Sequence, residues 1–360
     1  MNWPIALALQ VVLMSAALAQ VPAEDLQSLV AAARQRHRLP SLAVAVVEGP
    51  HLSTARGGCA SDDPVFPIGS LSKSITAAVA VRLWEKGRLD LQRPLGELLP
   101  ELPMHRHYQR VTLEQLLCHQ AGLPANFPQL PLHPALELDE DPPPDLKRLC
   151  LEQILLTSPE GQPFLYSNLG YVLAARVMER LSDLPWPQLV EREVFQPLGL
   201  QHAGLGYRPG PGDPLPHRWL GGEAVGFSDL ARRGNPRVLD GADQVRCSLS
   251  DLARYAQAHL QRDPKWLSAE GYRKLHKDRG HSYALGWGVQ RSPWSRGPLL
   301  SHHGSNTYYY ATCMLAPQRQ LAVVCLTDVG WDEQRSNERT RLALVEVQEQ
   351  VRRLALGDSL

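Results

Sequence analysis

The sequence lacks a charge imbalance, a membrane-spanning run and the cysteine pattern of a metal site. Its 37 Lys and Arg residues balance 37 Asp and Glu residues, so no net field draws the chain to nucleic acid or to an anionic membrane. Beyond a short run at its beginning, no stretch reaches the roughly 18 apolar residues of a spanning helix. We therefore expect no nucleic-acid partner and no integral membrane segment after signal removal, and we also expect a monomer. A small molecule or short peptide is the expected substrate.

Residues 5–18 are the short apolar run, and Ala17-Leu18-Ala19 precedes Gln20. A run of this length followed by A-x-A is typical of a secretory signal peptide and its cleavage site. The sequence therefore predicts a signal peptide over residues 1–19 and an exported protein, periplasmic or secreted.

The six cysteines show no metal-knuckle spacing, so we expect neither a metal nor another cofactor. Two of them, Cys313 and Cys325, fall on apolar runs that flank residues 316–320 and are candidate cross-strand neighbours. Export permits disulfides, and the sequence leaves their pairing open. We favour buried free thiols for all six: Cys59, Cys118, Cys150, Cys247, Cys313 and Cys325.

The hydrophobic patterns predict an α+β fold, with an antiparallel sheet built from both chain ends, flanking helices and an inserted, mainly helical domain. The expected domains are 20–104 with 236–360 for the sheet and 105–235 for the helices. Residues 89–233 show helical patterns and no convincing strand. The sheet and its outer helices come from these segments: helix 24–36, strand 42–48, a short strand before residue 62, strands 282–290, 299–303, 306–315 and 320–327, and helix 333–354.

A serine and a lysine stand at the start of one predicted helix. Pro67, Ile68 and Gly69 form a tight turn before Ser70, and apolar residues then recur at helical spacing up to Gly87. The helix N-terminus stabilises negative charge near the Ser70 oxygen. Lys73 lies three residues further on the same face and can reach the hydroxyl. This pair is a candidate nucleophile and base, although an isolated S-x-x-K is a weak signal.

Two further short motifs follow. In Tyr166-Ser167-Asn168, the first and third side chains point to the same side of an extended segment, and the alternative is that Asn168 merely caps the next helix. His302-His303-Gly304-Ser305 ends a predicted strand, where glycine permits close approach of a ligand to the backbone. The triplet H-x-G also occurs at residues 202–204, so it proves little alone.

Taken in order, S-x-x-K, Y-x-N and H-x-G resemble the serine β-lactamase and penicillin-binding protein superfamily, in particular its branch of class C β-lactamases, DD-peptidases and related esterases. The resemblance covers most of the chain after residue 19. It includes these segments: FPIGS at 66–70, EKGRLDL at 85–91, LLCHQAGLP at 116–124, PLGL at 197–200, SDLAR at 250–254 and GWG at 286–288. It implies a β-lactamase/transpeptidase-like fold.

The resemblance also implies roles. Ser70 attacks a carbonyl and becomes acylated, and either Lys73 or Tyr166 acts as its general base, a choice that stays open. Asn168 holds the amide of the substrate. The backbone N–H groups of Ser70 and Ser305 form an oxyanion hole.

Two departures from the family pattern bear on activity. His302 stands where class C β-lactamases carry the lysine of K-T-G, and a mostly neutral histidine donates a hydrogen bond to the tyrosine or to a substrate carboxylate without a permanent charge. The Gly-Gly pair often found before residues 250–252 is missing, and residues 244–246 are Gln-Val-Arg. We therefore predict DD-peptidase- or esterase-like hydrolysis of a small amide or ester. A true class C-type β-lactamase and a penicillin-binding sensor are the alternatives.

Other hydrolase classes fit the sequence poorly. A metallo-β-lactamase run needs an Asp and a His directly after the HRH at 105–107, yet YQR follows, and no H-E-x-x-H occurs. No G-x-S-x-G elbow surrounds Ser70, as an α/β-hydrolase would require. The loops 124–144 and 205–240 are expected to choose the substrate, and their sequence carries no recognisable code.

Overall fold

The computed structural model of the chain describes residues 20–127, 144–206, 209–227, 235, 237–332, 334 and 336–358. The predicted signal peptide at 1–19 and most of the predicted loop at 124–144 lie outside these residues. Within them, no helix combines the length and the apolar character needed to cross a bilayer.

The strands confirm the predicted sheet from both chain ends. Six strands form one antiparallel sheet in the order β2-β1-β11-β10-β9-β8, while β3, β7 and β4 form a second sheet and β5 and β6 a hairpin. The strands are β1 (Leu42–Glu48), β2 (His51–Gly57), β3 (Val65–Pro67), β4 (Gly204–Leu205), β5 (His217–Leu220), β6 (Glu223–Gly226), β7 (Val245–Ser248), β8 (Gly288–Arg291), β9 (Pro298–Ser305), β10 (Tyr310–Ala316) and β11 (Leu321–Thr327).

Helices cover the large sheet on both faces, so the mixed α+β class is also confirmed. They are α1 (Ala23–His37), α2 (Ser72–Glu85), α3 (Leu95–Leu98), α4 (Leu113–Leu117), α5 (Pro144–Leu156), α6 (Asn168–Ser182), α7 (Trp186–Val190), α8 (Gln196–Leu198), α9 (Leu249–Gln261), α10 (Ala269–His276) and α11 (Glu338–Leu356).

The central strands β1 and β11 are buried along their whole length, which explains why both read as continuous apolar runs. Alternate residues enter two different cores: Val44 packs with α1 and α11 on one face, and Ala45 packs with α2 and α9 on the other. The catalytic candidates on α2 belong to the second face. The face of the sheet that packs against α2 therefore supports the site.

The same alternation separates two cysteines. Cys313 pairs with Val324 across β10 and β11, and Cys325 pairs with Thr312. The two thiols are therefore offset by one residue and enter opposite cores. All six cysteines are free, and five of them are buried.

Two strand predictions were wrong. The stretch 89–233 contains β4, β5 and β6, which have two to four residues each and are too short for a recognisable alternation. The predicted strand 282–290 is reduced to β8, because His281, Ser282 and Gly286 adopt positive φ values of 58°, 58° and 74°.

Candidate active site

Ser70 stands on a tight turn at the beginning of α2. Residues Gly69–Leu71 form a 3₁₀ turn that continues into the helix. Gly69 has φ +53°, and a Cβ there would come within 2.3 Å of the backbone nitrogen of Ser305, so only glycine fits. Ser70 is partly exposed at the positive end of the helix dipole.

Lys73 is fully buried one turn further along α2. Its Nζ donates hydrogen bonds to Ser70 Oγ at 3.0 Å, to Asn168 Oδ1 at 2.6 Å and to the carbonyl oxygen of Ala242 at 2.9 Å. Three oxygen atoms around a buried ammonium satisfy its three N–H donors. The predicted proximity of Ser70 and Lys73 is present in the structure.

The second motif enters the site just before α6. The Ser167 side chain accepts the hydrogen bond from the Gly170 backbone N–H and so caps the helix. Asn168 is thereby available for other contacts: it accepts from Lys73, and its Nδ2 donates to Asn126 Oδ1 at 2.7 Å. The Lys73 Nζ also lies 4.9 Å from the centroid of the Tyr166 ring, so both side chains of the motif face the same ammonium.

The third motif lies at the end of β9, where the strand meets the Ser70 turn. A Cβ on Gly304 would come within 1.9 Å of the Ile68 carbonyl oxygen and 2.8 Å of the Ser70 nitrogen. Two backbones approach this closely only where a side chain is missing. The Ser70 and Ser305 backbones are therefore neighbours, as an oxyanion hole requires.

His302 is buried, and both of its ring nitrogens already have partners. Nδ1 lies 2.7 Å from the carbonyl oxygen of His303, and Nε2 lies 3.1 Å from the hydroxyl of Tyr283. Burial, followed by the charge of Lys73, lowers the pKa of His302 to about 3. The N–H expected for a substrate carboxylate or for Tyr166 is thus already used by the backbone.

The structure adds side chains that the motifs did not reveal. His119 packs against the Tyr166 ring with centroids 4.3 Å apart, and its Nδ1 accepts a hydrogen bond from the Ser167 backbone N–H at 3.0 Å. Burial and then Lys73 lower the pKa of His119 well below its usual range. We name the active-site cluster by its five rings: His119, Tyr166, Tyr171, Tyr283 and His302.

These additional residues adjoin motifs visible in the sequence. His119 is part of the LLCHQAGLP run at 116–124, and Tyr283 comes three residues before the GWG run at 286–288. These two runs contributed to the family resemblance, but they did not indicate a role for the side chain of His119 or Tyr283. Tyr283 lies in the segment 282–290, for which the sequence predicts a regular strand.

Ala242 and Asp243 also lie close to Lys73. Ala242 accepts from Lys73 through its backbone, and the neighbouring Asp243 is buried, with its carboxylate accepting from Asn235 Nδ2 at 2.5 Å. Burial raises the pKa of Asp243 to about 6, although the nearby Lys73 opposes the rise. In the described ranges, no group of three His, Cys, Asp or Glu side chains is arranged to hold a metal ion.

Comparisons with known proteins show which family and fold the chain resembles. Residues 26–347 match the family model described as Beta-lactamase. The chain is 25% identical over 332 residues to the unguisins hydrolase ungD' of Aspergillus campestris, covering 84% of this chain and 60% of that one. It is 28% identical over 258 residues to penicillin-binding protein 4* of Bacillus subtilis, covering 67% of this chain and 55% of that one. The chain therefore spans somewhat more than half the length of these relatives.

Among solved structures, the D-amino acid amidase from Ochrobactrum anthropi SV3 superimposes with a TM-score of 0.72 at 18% identity, over 91% of this chain and 99% of that one. A likeness at this identity establishes the fold. The expected β-lactamase/transpeptidase-like architecture is thereby confirmed.

Proposed function

The chain belongs to the Beta-lactamase family, and on that premise we propose that it is a serine hydrolase that forms an acyl-enzyme on Ser70. The observation that carries this proposal is the 3.0 Å contact between Lys73 Nζ and Ser70 Oγ, made by a buried lysine beside a partly exposed serine. A serine hydroxyl needs such a neighbour to take its proton.

The surroundings of Lys73 suit both of its protonation states. A neutral amine has two N–H donors, which Asn168 Oδ1 and the Ala242 carbonyl oxygen can accept. Its lone pair then faces the Ser70 hydroxyl and accepts that proton, whereas the ammonium donates to the same oxygen. Lys73 can thus gain and lose a proton without moving.

In the proposed acylation, Ser70 Oγ bonds to the substrate carbonyl carbon, and its proton passes to Lys73 or Tyr166. The bond to the leaving amine or alcohol then breaks as that group receives a proton. Water attacks the ester in the second half-reaction and releases the acid together with free Ser70. The backbone N–H groups of Ser70 and Ser305 are proposed to stabilise the oxyanion, a device worth about 3 kcal/mol per donor.

We propose a small amide or ester as substrate, handled by one chain. The name of one similar protein, a D-amino acid amidase, favours an amide. We also propose that the protein acts as a monomer. The neutral His302 disfavours the alternative of an efficient class C-type β-lactamase.

Incubating the protein with a reporter penicillin and with p-nitrophenyl acetate tests the proposal. We expect ester cleavage and a mass adduct on Ser70, and loss of both in Ser70→Ala at an unchanged melting temperature. Rapid disappearance of a penicillin adduct would instead identify a β-lactamase, and a persistent adduct without ester or amide turnover a sensor. Full activity in Ser70→Ala would refute the nucleophile.

Export remains part of the proposal. It is supported by the apolar run at residues 5–18 and the A-x-A before Gln20. Expression in a bacterium, fractionation and N-terminal sequencing test it: a mature chain that starts at Gln20 outside the cytoplasm is expected, and an unprocessed cytoplasmic chain would contradict it.

A further inference from the structure

The hydrogen bonds of His302 fix which of its nitrogens carries the proton. A carbonyl oxygen only accepts, so the 2.7 Å contact with the His303 oxygen requires the proton to be on Nδ1. A neutral imidazole has one ring proton, and Nε2 is then an acceptor. The Tyr283 hydroxyl, 3.1 Å away, must be the donor to Nε2.

The surroundings of Tyr283 favour the protonated phenol. The ring is buried and packs against His119 and Tyr166, with centroids 4.7 and 6.5 Å away. The backbone of Tyr283 is also held in place: its carbonyl oxygen accepts a hydrogen bond from the Arg279 N–H, and Tyr283 forms an isolated β-bridge with Gly288. Burial, followed by the neighbouring phenols, raises the pKa of Tyr283 well above its usual range, so the phenol stays a donor.

The charged and titratable groups around His302 are Lys73, His303 and the other rings of the active-site cluster. In the part of the chain that the structure describes, Lys73 is the only cation in contact with Ser70, Tyr166 or Asn168. Its N–H groups are already directed at three oxygens. A carboxylate placed beside an accepting Nε2 would lose hydration without gaining a donor there.

We propose that Tyr283 is a positioning residue that locks His302 as the neutral Nδ1–H tautomer, and that this lock makes the site select acyl substrates whose leaving group carries no carboxylate. The proposal rests on the hydrolase function proposed above and adds a substrate class to it. It assigns the selectivity to a residue outside the three motifs.

The tautomer is tested by NMR on the full chain labelled with ¹⁵N-histidine, with the His302 signals assigned by their loss in His302→Asn. We expect the shifts of an Nδ1–H tautomer, unchanged between pH 5.5 and 8. In Tyr283→Phe, which removes one oxygen atom, Nε2 loses its donor, and we expect the ¹⁵N shifts to report a mixture of Nδ1–H and Nε2–H tautomers of a ring that stays neutral over this range. Tyr272→Phe is the matched control, because its hydroxyl also donates a hydrogen bond, to the backbone carbonyl of Asp263, and its ring packs against His259. An Nε2–H or titrating His302 in the unmodified protein would overturn the lock.

Selectivity is tested with 4-nitrophenyl acetate and 3-carboxy-4-nitrophenyl acetate, which differ by one carboxylate on the leaving group. We expect kcat/KM at least about 10-fold higher for the uncharged ester, with a ratio independent of pH from 5.5 to 8. In Tyr283→Phe the ratio should shrink at least about threefold over the same pH range, because part of the molecules then present an Nε2–H donor, and in Tyr272→Phe it should not change. An unchanged ratio in Tyr283→Phe would refute the role of the lock in selectivity. Absence of turnover of both esters would refute the hydrolase function and with it the selectivity, while the NMR experiment would still decide the tautomer.

Discussion

Two clusters in this molecule bury neutral imidazoles among aromatic rings. One is the active-site cluster. The other, which we name the His259 cluster, joins the ends of α9 and α10 and comprises His259, His276, Tyr255, Trp266, Tyr272 and Trp287. Burial lowers the pKa of His276 to about 3, the same value as for His302.

The clusters differ in what adjoins the rings. In the His259 cluster, His259 Nδ1 and His276 Nε2 share a hydrogen bond of 2.9 Å, and the described rings around them are neutral. The active-site cluster instead borders a buried ammonium and a partly exposed serine. A lowered imidazole pKa is therefore a result of burial in both places and does not by itself indicate catalysis. Arg262 also places a positive charge near His276, so the difference lies in the nucleophile and in the direct contact that Lys73 makes with it.

Lys73→Met should give the largest effect, because it removes the candidate base and keeps the apolar stem. We expect kcat/KM for p-nitrophenyl acetate to fall by about 10³-fold. Circular dichroism should show an intact fold of lower stability, because Asn168 Oδ1 and the Ala242 carbonyl oxygen lose their donor, at a cost of about 1–3 kcal/mol each. Activity within tenfold of the unmodified protein would remove Lys73 from the mechanism.

Gly304→Ala tests the backbone contact between β9 and the Ser70 turn. The added Cβ would overlap the Ile68 carbonyl oxygen and displace the proposed oxyanion hole, so we expect activity to fall by about 100-fold. Gly161→Ala is the matched control, because a Cβ there meets no atom within 4 Å. Steady-state kinetics of both variants measure the effect, and equal activities would exclude an oxyanion hole at this contact.

His259→Phe should lower the stability of the fold and leave the activity nearly unchanged, whereas the two preceding variants should mainly lower activity. The variant removes the partner of His276 Nε2, and a buried polar atom left unpaired costs about 1–3 kcal/mol. Urea unfolding should therefore show a lower free energy of unfolding, while kcat/KM of the folded enzyme stays within about twofold. A selective loss of catalysis at unchanged stability would contradict the division between the clusters.

The smallest expected effect is a pH dependence of the free energy of unfolding, to which His276 and His302 both contribute. An imidazole in the unfolded chain binds a proton near pH 6.5, whereas folded His276 and His302 do so only near a pKa of about 3. Lowering the pH from 7.5 to 5.5 then protonates the unfolded state only. Each histidine should reduce the free energy of unfolding by about 1.4 kcal/mol over this range.

His276→Gln isolates one of these contributions. Urea unfolding at the two pH values should show a decrease smaller by about 1.4 kcal/mol in this variant than in the unmodified protein. Identical decreases would mean that His276 is not buried as a neutral base. The comparison of the two proteins cancels the contribution of the carboxylates, which is common to both.

Local geometry explains which parts of the site could be predicted. Ser70 and Lys73 are three residues apart in a helical stretch, and Tyr166 and Asn168 are two apart in an extended one, so each pair shares a side wherever the segment is placed. The bounds of β1 followed directly from its apolar run. The short hairpin of β5 and β6 was missed, because four residues carry too little pattern.

The sequence by itself determined the residue types at the three motifs, the apolar runs of the sheet and the helix that presents Ser70, because these depend on neighbours along the chain. Only the tertiary structure decided that the Ala242 carbonyl faces Lys73, that His119 holds the Ser167 N–H, and that Tyr283 donates to His302. The partners of a buried polar group come from segments that the fold brings together, and periodicity carries no record of them. For that reason the chemistry of His302 follows from its surroundings, while its position follows from the motif.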